Sequence, residues 1–281
     1  MRLFCFGYGY AAQALVRQLS PVDVDVAGTR TSTALDTTGV RLAQFRGDGA
    51  SPEVRALLAG ATHVLISIPP DLEGDAVLRH HGEDIAGLSD VAWIGYLSTI
   101  GVYGDWQGQW IDETAPTRPV SERSLRRLEA EHAWSGFASA TGKRVEIFRL
   151  AGIYGPGRSV IDQLRAGKAR RIVKAGQVFN RIHVEDIGRV LTAAMGKAVG
   201  HAVFNVTDDE PAPPQEVVAY AALLLGLPIP PEVAFERAGL AGMAATFWAE
   251  NKRVRNWRIK QDLGVQLAYP TYREGMRALA Q

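Results

Sequence analysis

Apolar residues fall in short blocks along this chain, and the pattern inside the blocks switches between strand and helix periods. Arg2-Leu3-Phe4-Cys5-Phe6 is a near-continuous apolar run of strand length, and Gln13 to Leu19 continues it as a helix. Apolar and polar residues then alternate through Val22-Asp23-Val24-Asp25-Val26-Ala27, a second strand that ends at Gly28-Thr29-Arg30. Val40 to Phe45, Val64 to Ile68, Val91 to Leu97 and Val145 to Leu150 predict further strands, with helices over Pro52 to Leu58 and about Asp75 to Ile85 between them. Apolar strands separated by helices predict an α/β fold built on a doubly wound parallel sheet.

A loop rich in glycine and proline, Gly101 to Pro119, interrupts this alternation. Ser121 caps the helix that follows, Ala130, Ala133, Trp134 and Phe137 share its apolar face at i, i+3, i+4 and i+7, and Gly142 ends it. Past Tyr154-Gly155-Pro156-Gly157 the beat is lost and prolines gather at Pro211 to Pro214 and Pro228 to Pro231. The expected organisation is a dinucleotide-binding domain over 1–154, to which 186–206 returns, and a smaller, mainly helical lobe over 155–281. In such sheets ligands bind beyond the carboxyl ends of the strands. The loops after Phe6, Ala27, Ile68, Leu97 and Leu150 should therefore line one cleft, with Ile68 and Pro69 on its wall.

Composition narrows the partners. At 281 residues with 31 basic and 30 acidic side chains, the chain has a formal charge of +1, which gives no electrostatic case for nucleic acid or an anionic membrane surface. No apolar run approaches the ~20 residues of a membrane-spanning helix. The single cysteine, Cys5, makes no internal disulfide and suits a reducing, cytoplasmic setting. The six histidines show no ligand spacing, so no metal site is expected.

The first strand runs into Gly7-Tyr8-Gly9-Tyr10-Ala11-Ala12 and then a helix. Gly7 permits the tight turn, Gly9 lets backbone approach a diphosphate, and Ala12 lets helix pack on strand while the helix N-terminus faces the phosphates. About twenty residues on, where an acid would take ribose hydroxyls, stand Thr29, Arg30, Thr31 and Ser32. A guanidinium with neighbouring hydroxyls suits a 2'-phosphate, so NADP is favoured over NAD. An ordinary solvated surface arginine is the alternative reading of Arg30.

Leu97-Ser98-Thr99-Ile100-Gly101-Val102-Tyr103-Gly104, with Asp112-Glu113 and Pro116 after it, resembles the extended short-chain dehydrogenase/reductase superfamily in its NAD(P)-dependent epimerase/dehydratase branch. Arg149 to Gly157, Ile182 to Ile187 and Phe204 to Asp208 carry the same resemblance, in the right order, to about residue 210. It implies that Thr99, with Ser98 beside it, hydrogen-bonds the reacting oxygen of a small polar substrate, a sugar or a phosphorylated or nucleotide-linked compound, and that a homodimer forms through the helix after the long loop. It places Asp48 near adenine, though a turn aspartate in Gly47-Asp48-Gly49 reads equally well. Backbone satisfaction at a strand end is the alternative for Ser98 and Thr99.

The chain departs from that family where a Tyr-x-x-x-Lys pair is expected. The matching segment is Arg123-Ser124-Leu125-Arg126-Arg127, no tyrosine lies between Tyr103 and Tyr154, and no lysine precedes Lys143. Arginine, with a pKa above ~12, is no base near neutral pH. Arg127 remains suited to ribose hydroxyls or a phosphate as a fixed charge, and Tyr103 is the proton-moving candidate of the local motif. The basic run Arg165, Lys168, Arg170, Arg171, Lys174 and Arg181 lies where relatives grip nucleotide-sugar phosphates, or forms a solvated face. His183 with Asp186 reads as a satisfied histidine and a helix cap, and Trp106 and Trp110 as covers of the cleft mouth or as loop packing. Two functions follow: an NADP-dependent oxidoreductase, epimerase or dehydratase of atypical mechanism, or a non-catalytic NADP(H)-binding sensor.

Overall fold

The computed structural model describes residues 1–19, 24–32, 39–197 and 202–281. The first half alternates strand and helix: β1 (Arg2–Phe6), α1 (Tyr10–Gln18), β2 (Asp25–Arg30), β3 (Arg41–Gln44), α2 (Pro52–Leu58), β4 (His63–Ile66), α3 (Ala76–Ala86) and β5 (Trp93–Thr99). After the short β6 (Trp110–Ile111) come α4 (Glu122–Thr141), β7 (Val145–Leu150), β8 (Gly152–Tyr154), α5 (Val160–Arg165), β9 (Arg171–Val173), β10 (Arg181–His183), α6 (Val184–Gly196) and β11 (Ala202–Val206). The remainder is α7 (Pro214–Leu224), β12 (Glu232–Ala234), α8 (Gly242–Trp248), β13 (Arg253–Val254), α9 (Trp257–Gln261) and α10 (Tyr272–Ala280).

Seven strands form one sheet in the order β11-β7-β5-β4-β1-β2-β3, and every pairing in it is parallel. Strand order reverses between β1 and β4, the switch point at which doubly wound sheets open a ligand crevice. Each face of the sheet has its own core. Leu3, Cys5, Leu65, Trp93 and Phe148 meet α1 and α6 on one side, and Phe4, Phe6, Ile66, Tyr96 and Ile147 meet α2, α3 and α4 on the other. Alternate residues of a strand point to opposite faces, and both are buried here, which is why these strands read as continuous apolar runs. Burial pushes the Cys5 thiol up to about 12, so it stays neutral and unreactive.

Local signals placed several boundaries correctly. Ser51, Asp75 and Ser121 cap α2, α3 and α4 by accepting a backbone N–H, and Gly142 closes α4 at φ 70°. Other expectations are corrected. Helix α1 begins at Tyr10, since Gly9 already takes the N-cap position. Val22 and Asp23 of the expected second strand lie outside the described residues. Ala133 is exposed, and the buried stripe of α4 runs through Arg127, Ala130, Glu131, Trp134 and Ala138, because the core side of the helix accepts a buried ion pair that a purely apolar pattern cannot register. Asp186 does not cap α6. Its carboxylate accepts from Ala268 N at 2.7 Å and Tyr269 N at 2.9 Å, pinning the incoming C-terminal segment, and His183 caps the helix through Nδ1 to Glu185 N. Burial holds the His183 imidazole neutral, with its pKa lowered to about 4. Trp106 donates to Tyr103 O, and its ring carries the Arg118 guanidinium at 4.9 Å, while Trp110 packs beside Arg255, so both serve the long loop and its pairing of β6 with β13.

Candidate active site

The β1–α1 turn is held from beneath. Gly7 N donates to Thr29 Oγ1 at 2.9 Å, Tyr8 N donates to Thr29 O at 2.8 Å, and Ser67 Oγ donates to Gly7 O at 2.5 Å. Gly7 has φ 88°, and a Cβ there would stand 2.8 Å from Ser67 Oγ, so the fold itself requires glycine at this position. Gly9 differs. Its φ of −100° is open to any residue, and a Cβ there would meet nothing within 4 Å. Yet it stands at the N-cap of α1, where no side chain caps the helix and no acid occupies the first turn. Free N-terminal amides under an unfilled space fit a diphosphate, the central group of a nicotinamide dinucleotide.

From this turn a cleft of about 1000 Å³ opens across the carboxyl ends of β4, β5 and β7, floored by the sheet and walled by the C-terminal half of the chain. Gly9, Tyr10 and Ala11 line one end, Leu97 to Gly101 with Arg123, Ser124 and Arg127 line the middle, and Asn180, Arg181, Phe247, Glu250 and Lys252 line the far wall. Its volume lies at the top of the ~300–1000 Å³ span of ligand clefts, room for a substrate next to a cofactor. Tyr10 Oη donates to Pro156 O at 3.0 Å, which ties the Gly155–Arg158 turn to the N-terminus of α1.

Of the expected catalytic residues, Thr99 alone combines a place on the cleft wall with partial exposure. Its Oγ1 accepts from Gly101 N at 3.1 Å, which leaves the hydroxyl proton to be donated to a substrate oxygen. Ser98 lines the cleft but is buried, and its hydroxyl donates to Glu131 at 2.5 Å. Glu131 also receives Arg149, at 2.7 Å from Nη2, and the Arg149 guanidinium lies 4.8 Å from the Tyr103 ring centroid. Tyr103 is fully buried, lies outside the cleft lining, and donates its hydroxyl to Asn205 Oδ1 at 2.8 Å. Burial raises its pKa further, so the structure keeps it away from the position of a proton-moving group. The motif alone could not reveal this, because Asn205 reaches it from β11, a hundred residues on.

Arg127 is buried and lines the cleft, with Nη1 donating to Leu97 O at 2.5 Å and Tyr96 Oη at 3.1 Å. Ala12 is wholly buried between α1 and the sheet, and Thr29 is equally buried under the glycine turn, so these two support the loop from within. Arg30 ends β2, Thr31 follows it and accepts from Arg46 Nε at 3.3 Å, Asp48 is exposed in the turn after β3, and none of the three lines the main cleft. The Arg30 guanidinium sits 5.6 Å from the Tyr8 ring centroid. Ile68 packs on the core beneath Gly7, and Pro69 is exposed beside it.

The basic run dissolves into separate contacts. Arg165, Arg170 and Lys174 donate to backbone carbonyls of Ala280, Ala238 and Trp248, Arg171 pairs with Glu232, and Lys168 is exposed away from the cleft lining, which leaves Arg181 as the run's member on the cleft wall. Sequence reasoning missed Arg158, Glu250 and Lys252. Lys252 is buried, donates to Gly104 O at 2.7 Å, and pairs with Glu250, and burial lowers its pKa. No sequence motif marks these residues. Among the described residues no group of three or more His, Cys, Asp or Glu is placed to hold a metal ion, and no helix is long and apolar enough to cross a membrane.

Comparison with known proteins agrees with this geometry. The NAD dependent epimerase/dehydratase family matches residues 86–207. Protein YeeZ of Escherichia coli K12 is 30% identical over 283 aligned residues, covering 94% of each chain. A solved structure from Silicibacter pomeroyi DSS, a conserved protein of unknown function, is 47% identical and superposes with a TM-score of 0.89 over 99% of this chain and 98% of its own. Human epimerase family protein SDR39U1, solved with NADPH, shares the fold at 16% identity, with a TM-score of 0.75 over 100% of this chain and 99% of its own. The chain belongs to the NAD-dependent epimerase/dehydratase family.

Proposed function

We propose that this protein is an NADP(H)-dependent oxidoreductase, epimerase or dehydratase acting on a small polar substrate of the sugar or nucleotide-sugar kind. The observation that carries the reading is the open space above Gly9, at an uncapped helix terminus, continuous with a cleft that reaches Thr99. The first-turn amides of α1 bind the diphosphate, and Arg127 offers a fixed charge midway along the cleft. A nicotinamide ring bound there supplies hydride exchange at carbon. Thr99 donates its hydroxyl to the substrate oxygen at the same carbon, which orients it and stabilises negative charge that develops there. Tyr103, buried and outside the cleft lining, takes no part.

A sensor that binds the nucleotide without turnover is the second reading, favoured by the commitment of Ser98 to Glu131 and of Tyr103 to Asn205. NADPH that binds but is never oxidised across a panel of sugars and carbonyl compounds would select it.

The preference for NADP rests on Arg30. A charge-assisted hydrogen bond contributes about 1.5–3 kcal/mol, so Arg30→Ala is expected to weaken NADPH binding roughly 10- to 100-fold and to leave NADH within twofold. Fluorescence titration of both nucleotides with both proteins measures this. Equal affinities in the unmodified protein, or equal losses in the variant, would contradict the assignment.

A further inference from the structure

Five cations line the cleft, Arg123, Arg127, Arg158, Arg181 and Lys252, against two carboxylates, Asp162 and Glu250. Glu250 is paired with Lys252, and Asp162, which accepts from Ser159 Oγ at 2.6 Å, keeps its charge. The cleft therefore carries an excess of positive charge, which a chain of net charge +1 does not owe to its composition.

The positions of three arginines divide the work. Arg158 belongs to the turn that Tyr10 holds against the N-terminus of α1, at the diphosphate end. Arg127 is buried beneath, fixed to Leu97 O and Tyr96 Oη. Arg123 stands one helical turn before Arg127 on the same side of α4 and is exposed to the cleft. The first turn of α4 lies against the loop that follows Thr99, since a Cβ on Gly101 would come 2.7 Å from Ser124 Oγ. Arg123 is thus on the Thr99 side, and it occupies the position where the family resemblance places its tyrosine. Burial, then Arg127, then Arg158 lower its pKa, which places the three groups within electrostatic reach of one another. Guanidinium groups crowded together beside a cleft favour an anion between them.

We propose that Arg123, supported by Arg127 and Arg158, binds an anionic group of the substrate, a carboxylate or a phosphate, next to the reacting carbon at Thr99. This rests on the reading of the cleft as a nicotinamide nucleotide site, in which the diphosphate has its own cradle at α1. Arg123 then sets substrate specificity at the place from which the usual base has been lost.

The test compares the unmodified protein with Arg123→Gln and Arg123→Lys. NADPH affinity is measured first; glucose, glucuronate and glucose 6-phosphate are then titrated by calorimetry with and without saturating NADPH. At least one of the two charged sugars should bind tenfold or more tightly than glucose, and the one that does identifies carboxylate or phosphate. Arg123→Gln should remove most of that preference while NADPH affinity stays within twofold, and Arg123→Lys, which keeps the charge, should retain part of it. Equal binding of charged and neutral sugars, binding of none, or a loss of NADPH affinity in Arg123→Gln as large as the loss of anion binding would overturn the proposal. Anion selection through Arg123 in a protein that fails to bind NADPH would overturn the cofactor reading and, with it, the placing of the anion beside a reacting carbon, leaving an anion site alone.

Discussion

Replacing Gly9 with valine is expected to leave the fold intact and to weaken nicotinamide nucleotide binding at least a hundredfold. The two halves of this result have separate causes. Gly9 adopts an extended conformation that valine shares, and a Cβ there meets nothing within 4 Å, so folding is expected to lose little. The same side chain fills the space over the N-terminus of α1, which a diphosphate must enter to reach the amides. A hundredfold loss corresponds to about 2.8 kcal/mol, comparable with losing two or three amide contacts to an anion. Gly7→Ala is the control with the opposite signature. At φ 88°, and 2.8 Å from Ser67 Oγ, its new methyl group strains the turn and lowers thermal stability directly. Thermal melts and NADPH titrations of both variants separate the outcomes. Full nucleotide affinity in Gly9→Val would remove the α1 terminus from the site.

The second large effect concerns stability rather than binding. Glu131→Leu should cost about 3–5 kcal/mol, a drop in melting temperature on the order of 10 °C for a chain of this size. Glu131 and Arg149 are nearly inaccessible, at 3% and 9% side-chain exposure, and two hydrogen bonds from Arg149 Nε and Nη2 meet the carboxylate at 3.1 and 2.7 Å. Removing the carboxylate leaves a guanidinium buried among Tyr103, Ser98 and the end of β7, and deprives the Ser98 hydroxyl of its acceptor. The cost comes from the stranded charge, not from the net worth of the pair, so Glu131→Leu/Arg149→Met should recover much of the loss. Chemical denaturation of the two singles and the double closes this cycle. A single variant within 1 kcal/mol of the parent, or a double no better than the single, would show that the pair does not organise this corner. Because the corner joins α4, β5 and β7 directly beneath Thr99, its loosening should also blur the cleft.

The sheet was legible because its strands are buried on both faces. Apolar runs such as Val145 to Leu150, and the cap and stop of α4 at Ser121 and Gly142, are local signals, and the structure follows them. The glycine-turn end of the cleft was legible for the same reason, since strand, turn and helix are contiguous in sequence. The chemical end was not. Whether Tyr103 faces substrate or core is decided by Asn205, and whether Ser98 is available is decided by Glu131 and Arg149, partners brought together only by the parallel register of β5, β7 and β11. The role of Asp186 depended in the same way on Ala268 and Tyr269, eighty residues downstream. The far wall of the cleft, with Glu250 and Lys252, comes from a segment with no repeating pattern to read.

Calorimetric titration of the unmodified protein with NADPH tests the central claim most directly, that the uncapped terminus of α1 and the cleft beyond it hold a nicotinamide nucleotide. One site per chain with a dissociation constant in the micromolar range is the result predicted. Absence of any heat with NADPH, NADP, NADH or NAD at millimolar concentration would contradict it.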